Sequence, residues 1–202
     1  TPTVNNRRVY FGTASDDFAV YSLNSTNGNL IWKNEVPNGR LLSSPIIANE
    51  ILYINSFDGK LYAFNVSNGS LIWSKNNGNI PHGTVAVSNG IVYSGSGEPA
   101  GPPEKFSAFN ATTGDIVWQF QMNSGGGLHP IVESGRVYFG NDDGYLYALN
   151  SNTGNQVWKT LIGAGDTLGI GFGLIYASND MISGVVNGSR VDVVDGYYIY
   201  SV

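Results

Sequence analysis

The chain of 202 residues contains no cysteine. Disulfides, thiolate metal sites and cysteine nucleophiles are excluded together. Charge is scarce: Asp, Glu, Lys and Arg make up 12% of residues, about half the globular share of roughly 25%. Ten basic residues stand against fifteen acidic ones, a net charge of −5, and that balance argues against nucleic-acid binding, which requires a basic surface. No run approaches the ~18 apolar residues of a membrane-spanning helix. No stretch carries the period of an amphipathic helix either. The opening segment TPTVNNRRVYFG does not read as a secretory leader and is expected to be in phase with the repeat.

What the chain has instead is one twelve-residue phrase, written four times. It reads YSLNSTNGNLIW from Tyr21, YAFNVSNGSLIW from Tyr62, SAFNATTGDIVW from Ser107 and YALNSNTGNQVW from Tyr147. The fourth position is always Asn (Asn24, Asn65, Asn110, Asn150) and the eighth always Gly (Gly28, Gly69, Gly114, Gly154). The last is always Trp (Trp32, Trp73, Trp118, Trp158), at steps of 41, 45 and 40 residues. A period of about forty residues is that of one four-stranded propeller blade.

The fourth repeat shows how a blade is written. Pro130–Glu133 is a short extended run, with Pro tolerated where a strand begins. Arg136–Gly140 and Tyr145–Asn150 alternate like half-buried strands across the hairpin signal Asp143-Gly144. Asn150 opens a turn by bonding its own backbone, and Gly154 closes it with a left-handed residue. Gln156–Leu161 is the outermost strand. Its Trp158, like Trp32, Trp73 and Trp118, is expected to bury its ring against the neighbouring blade and to give its N–H to a backbone carbonyl.

The expected fold is all-β: a single-domain β-propeller, or an arc of one, of about five four-stranded antiparallel blades. The blade boundaries fall near 1–42, 43–82, 83–128, 129–167 and 168–202. Pro2 stands eight residues before Tyr10, as Pro45 does before Tyr53 and Pro130 before Tyr138, so the chain is expected to start at a blade boundary. After Trp158 the phrase does not recur. Leu174–Ser178 still matches a second strand, which predicts a degenerate fifth blade. Tyr197–Val202 is expected as a surplus strand, completing the first blade or opening a sixth.

The pattern VYFGNDDGYLYALNSNTGNQVW and its weaker copies resemble the PQQ-type (quinoprotein) propeller repeat over nearly the whole chain. The family has Asp where this chain has Asn at the fourth position of every phrase. The resemblance implies blade stacking, and it spans quinoprotein dehydrogenases as well as cofactor-free scaffolds and sensing domains. Dehydrogenase members hold pyrroloquinoline quinone and calcium in a longer ring, with a vicinal cysteine pair at the cofactor. This chain has no such pair, so no catalytic residue, cofactor or metal ligand is carried over.

Residues with chemistry outside the phrase are few. Acids recur between second and third strands (Asp16, Asp17, Asp58, Asp142, Asp143, Asp180), where hairpin turns favour them. His82 and His129 precede first strands, with Ser44 in the related place, and are expected to face the mouth of the central channel. The third blade carries an insertion at Gly95–Phe106, SGSGEPAGPPEKF in context, whose Glu98, Glu104 and Lys105 are candidate partner contacts. Five sequons, Asn24, Asn65, Asn68, Asn110 and Asn187, permit glycosylation, though three lie on the repeat's own turn.

The function expected from this reading is a non-catalytic binding or assembly module, exported to the cell surface or beyond. It engages protein or glycan through its loop rim, without cofactor or metal, and self-associates through unpaired end blades. The alternative is enzymatic: a fragment of a quinoprotein dehydrogenase, or a propeller hydrolase. A hydrolase needs two inward acids about 5–10 Å apart, and Glu133 is the plain acid of the first strands.

Overall fold

Each repeat folds into an antiparallel sheet in the computed structural model. Residues 1–36, 39–78, 83–96, 104–126 and 128–161 are described in full, and beyond them the backbone of strands 167–171, 174–178, 193–194 and 197–201. The first sheet comprises β1 (Thr3–Asn5), β2 (Arg8–Gly12), β3 (Ala19–Asn24) and β4 (Leu30–Glu35). The second comprises β5 (Ile46–Ala48), β6 (Ile51–Ser56), β7 (Lys60–Asn65) and β8 (Leu71–Asn76). The third holds β9 (Ala86–Ser88), β10 (Ile91–Gly95), β11 (Glu104–Asn110) and β12 (Ile116–Met122). The fourth holds β13 (Ile131–Glu133), β14 (Arg136–Gly140), β15 (Tyr145–Asn150) and β16 (Gln156–Leu161). In these four sheets, strands adjacent in sequence are adjacent in space. Among the described residues, no helix is long and apolar enough to cross a membrane.

The fifth sheet differs. Its strands β17 (Thr167–Gly171), β18 (Leu174–Ser178), β19 (Val193–Val194) and β20 (Tyr197–Ser201) run in the order β17-β18-β20-β19. Tyr197–Ser201 is therefore not surplus. It pairs along β18 from Leu174↔Ser201 to Ser178↔Tyr197 and takes the third place in its own sheet. Five paired residues hold it there, whereas the two-residue strand before it pairs only at the edge.

First strands of successive sheets lie side by side, β1 by β5, β5 by β9, β9 by β13 and β13 by β17. This arrangement around a common axis, with outermost strands β4, β8, β12 and β16, is a β-propeller.

Among the described residues, none of the first four sheets has a core of its own; their apolar interior lies between blades. One cluster joins Tyr10, Val20 and Trp32 of the first blade to Leu52, Ile54, Tyr62 and Phe64 of the second. The next joins Tyr53, Leu61, Ala63 and Trp73 to Val92 and Phe109 of the third. The last joins Tyr93, Ala108 and Trp118 to Val137, Phe139, Tyr147 and Leu149 of the fourth. Strand alternation produces this division, because odd and even positions of one strand face opposite neighbours.

The phrase welds each joint. Asn65 Oδ1 accepts from the backbone N–H of Ser67 and Asn68, and Gly69 N–H closes the turn on Asn65 O at 2.8 Å. Gly69 sits at φ +73°, and a Cβ there would lie 2.6 Å from the ring of Trp32. The indole of one blade thus lies flat on the glycine turn of the next. Trp32 Nε1 donates to Val66 O at 2.9 Å, Trp73 to Ala111 O at 3.0 Å and Trp118 to Ser151 O at 2.9 Å. Tyr53 and Tyr93 hydroxyls donate to the same two carbonyls of residues 111 and 151. A second-strand Tyr and the phrase Trp therefore share one acceptor.

Candidate functional site

The interblade connections and the second-to-third-strand hairpins lie at the same end of the blades. Gly12 packs against Leu41, and Gly95 against Leu128, closely enough that a Cβ on either would overlap its leucine. Beneath this rim runs a buried polar network between the second and third blades. Asn55 Nδ2 donates to Gly83 O at 3.0 Å and to Ser94 Oγ at 2.9 Å, and Asn77 Nδ2 donates to Ser94 Oγ at 2.7 Å. Ser43 Oγ bonds the backbone of Asn55 from the other side. Burial obliges these groups to pair, so the network fixes the rim's shape.

The hairpin acids are clamps. Tyr62 OH donates to Asp58 Oδ2 at 2.5 Å and Tyr147 OH to Asp143 Oδ2 at 2.5 Å; Tyr21 makes the same bond to Asp17. Burial first, and the facing carboxylate second, raise the Tyr62 and Tyr147 hydroxyls above the ordinary phenol range. Asp17 is held down at about 2, chiefly by the Tyr21 hydroxyl, then by Thr13 and by Lys33 at 3.1 Å. A depressed carboxylate contributes stability above its unfolded value near 3.8 and loses it as pH falls towards about 2. In an acid unfolding titration, Asp17→Asn is expected to flatten the stability curve between pH 4 and 2. An unchanged acid limb would contradict the clamp.

The sequence candidates disperse. Ser44, Thr84 and His129 occupy the same half-buried place, two residues before β5, β9 and β13. Thr84, not His82, is thus the counterpart of His129, and Thr84 Oγ1 lies 3.2 Å from His129 Nδ1. Spacing to the strand decides this, since His82 stands two residues farther out. His82 and Glu98 lie outside the described residues, as does Asn187. Glu104 and Lys105 are not loop residues but the first two of β11, opposite Met122 and Gln121. Glu104 is 4% exposed and accepts from the Ser96 hydroxyl, while Lys105 Nζ reaches Gln119 Oε1 at 3.4 Å. The strand begins one residue earlier than its siblings because Glu104 pairs with Met122 at the end of a longer β12. Asn24, Asn65 and Asn110 each use Oδ1 to hold the phrase turn; Asn68 Oδ1 holds Ser70 N–H. Glu133 is exposed and borders Ser134. Among the described residues, no three His, Asp or Glu side chains are grouped to hold a metal ion.

One surface feature escaped the sequence reading. The register slips once in each outermost strand, between Ser22/Leu23, Ala63/Phe64, Ala108/Phe109 and Ala148/Leu149 of the partner strand. The extra residue is a β-bulge, which interrupts alternation. Two consecutive apolar side chains consequently face solvent before each buried Trp: Leu30 and Ile31, Leu71 and Ile72, Ile116 and Val117. In the fourth blade the pair is Gln156 and Val157, the latter 47% exposed. The outer circumference thus carries a belt of apolar steps on strand edges.

A family model described as outer membrane protein assembly factor BamB, of the PQQ-like repeat type, matches residues 1–81 and 75–175. The chain belongs to this PQQ-like repeat family. Tetrathionate hydrolase of Acidithiobacillus ferrooxidans is 27% identical over 167 residues, covering 83% of this chain and 29% of its own length. BamB of Yersinia pestis is 28% identical over 193 residues, covering 89% of this chain and 48% of the relative. The solved quinohemoprotein alcohol dehydrogenase of Pseudomonas putida superposes with a TM-score of 0.69 at 20% identity, covering 83% of this chain and 34% of that one. The chain spans under a third of the hydrolase and about half of this BamB relative. The likeness to the solved structure is one of fold.

Proposed function

We propose that this protein is a non-catalytic binding and assembly module of the cell envelope, exported, that receives extended segments of partner proteins. The apolar belt is the observation that carries this reading. An outermost strand leaves a row of backbone N–H and C=O groups free, and an extended partner strand adds to such an edge. Apolar pairs flanking that edge supply the affinity backbone bonds lack. The relatives whose printed name is outer membrane protein assembly factor support the same class of work. The loop rim, with Ser44 and His129, is the finer part of the proposal: it supplies selective contacts to protein or glycan.

The test uses a fluorescent extended peptide alternating aromatic and polar residues, read by anisotropy. Leu71→Lys combined with Ile116→Lys is expected to weaken binding by at least about tenfold, since each lost apolar side chain is worth roughly 1.5–3 kcal/mol when fully buried. Unchanged binding in the double variant would sink the belt reading. Similarity to tetrathionate hydrolase, and to a quinone alcohol dehydrogenase subunit at 30% identity over 88 residues, favours a second, enzymatic reading. A melting temperature raised by pyrroloquinoline quinone with calcium would support it, because only native-state binding stabilises.

A further inference from the structure

The three internal joints define a rule that the first blade half fulfils. In the second, third and fourth blades the phrase turn is covered: Val66 and Gly69, Ala111 and Gly114, and Ser151 and Gly154 are all buried. Each receives the Trp of the preceding blade. The first blade builds the same turn, with Thr26 N–H on Asn24 Oδ1 at 2.8 Å, Gly28 N–H on Asn24 O at 2.9 Å and Gly28 at φ +73°. Yet Ser25 and Gly28 are exposed, and among the described residues nothing lies within 4 Å of where a Gly28 Cβ would stand.

The sheet face beside that turn is open too. Val9, Phe11, Tyr21 and Leu23 are half-buried, whereas their counterparts Leu52, Ile54, Tyr62 and Phe64 are buried in the first interblade core. Phe11 and Tyr21 stack at 5.2 Å, as Phe139 and Tyr147 do inside the third core. The first blade therefore presents the receiving half of an interblade joint: a glycine floor for an indole, the Ser25 carbonyl as acceptor, and an apolar face.

Among the four tryptophans of these 202 residues the giving half has one candidate left. Trp32, Trp73 and Trp118 are engaged inside the chain. Trp158 is half-buried where the others are buried, and its ring rests on Tyr138 at 5.8 Å. Residues 159–202 hold no further phrase, and the fifth sheet adjoins the fourth along β13 and β14, the strands nearest the axis.

We propose that the open face of the first blade is a docking site for a second copy of this chain, which inserts Trp158 onto the Gly28 turn. Continuity with the three internal joints is the argument: the same turn, the same backbone angle and the same acceptor position recur with the indole removed. Donor and acceptor faces differ, so the contact is head-to-tail, closing into a ring or continuing as a filament.

Sedimentation velocity of the full chain over a concentration series tests this. Gly28→Asn fills the floor with a residue that tolerates positive φ. Gly135→Asn is its control, at φ +76° with nothing within 4 Å and away from the face. Trp158→Phe keeps a ring against Tyr138 and removes the N–H. The expected result is concentration-dependent association of the native chain, weakened at least about tenfold by Gly28→Asn and by Trp158→Phe, and unchanged by Gly135→Asn. Circular dichroism confirms that all variants are folded. A native chain that stays monomeric throughout overturns the proposal. So does native-like association of Gly28→Asn or Trp158→Phe, or an equal loss in Gly135→Asn.

Discussion

Trp73→Ala is expected to lower the unfolding free energy by about 3–5 kcal/mol, the range for removing a large aromatic from a core. Trp73 is 7% exposed and belongs to the cluster that joins the second and third blades through Val92, Phe109 and Ala111. Its ring lies on the Gly114 turn and 5.9 Å from Tyr53. The void left behind would be walled by two hydrogen-bonded sheets, which relax little, so the full packing loss is expected. The lost N–H contributes less. Ala111 O keeps its bond from Tyr53 OH at 3.0 Å and is not orphaned, so Trp73→Phe should lose about 1–2 kcal/mol, one hydrogen bond plus a smaller ring. Urea unfolding at neutral pH measures both. A Trp73→Ala loss under about 1 kcal/mol would show that the joint is not where stability resides.

Gly114→Ala is expected to destabilise by about 3 kcal/mol or more, and Gly28→Ala by only about 1 kcal/mol. Both residues hold nearly the same backbone angle, φ +72° and +73°, and an L-residue there is strained by about 1 kcal/mol or somewhat more. Within one chain only Gly114 of the two faces an indole. Its Cβ would stand 2.7 Å from Trp73 Cδ2 and 3.0 Å from Lys75 Cε, whereas Gly28 has open space. Forcing atoms into a packed joint adds about 1–3 kcal/mol. The difference between the two variants therefore reads the interblade contact alone. Equal losses would mean the glycines are kept for backbone angle only.

Strand positions in the repeats were legible because alternation, turn glycines and a fixed period agree there. Arg136–Gly140, Tyr145–Asn150 and Gln156–Leu161 fall where the pattern puts them. Legibility failed where a local signal was absent. The insertion in the third blade reads as loop to Phe106, since Glu104 and Lys105 give no strand signal. Pairing with Gln121 and Met122 across the sheet makes them strand. The bulge that exposes the apolar belt is invisible for a similar reason: Leu-Ile-Trp reads as one buried run, and only the register of the partner strand shows two of the three facing out. In the first joint Arg8 Nη1 takes the Val66 carbonyl at 3.1 Å, a place that tyrosine hydroxyls fill in the later joints. Tyr10 OH is left without a partner among the described residues. A substitution in one blade answered in the next cannot be read from either alone.

The candidate rim was legible only as a neighbourhood. Ser44 and His129 share a place in their blades, whereas His82 shares only the residue type of His129 and not its distance to the strand. Thr84 holds that position instead. The hairpin acids are expected as turn-formers; that Tyr21, Tyr62 and Tyr147 hold them follows from the turn, which folds each acid back towards the third strand. By itself the sequence determined the repeat, the blade and the tryptophan of each joint, because these follow from local periodicity and turn chemistry. Tertiary structure alone decided which turn stays uncovered, which apolar pairs face water and which carboxylates are clamped, because each depends on what a neighbouring blade brings into contact.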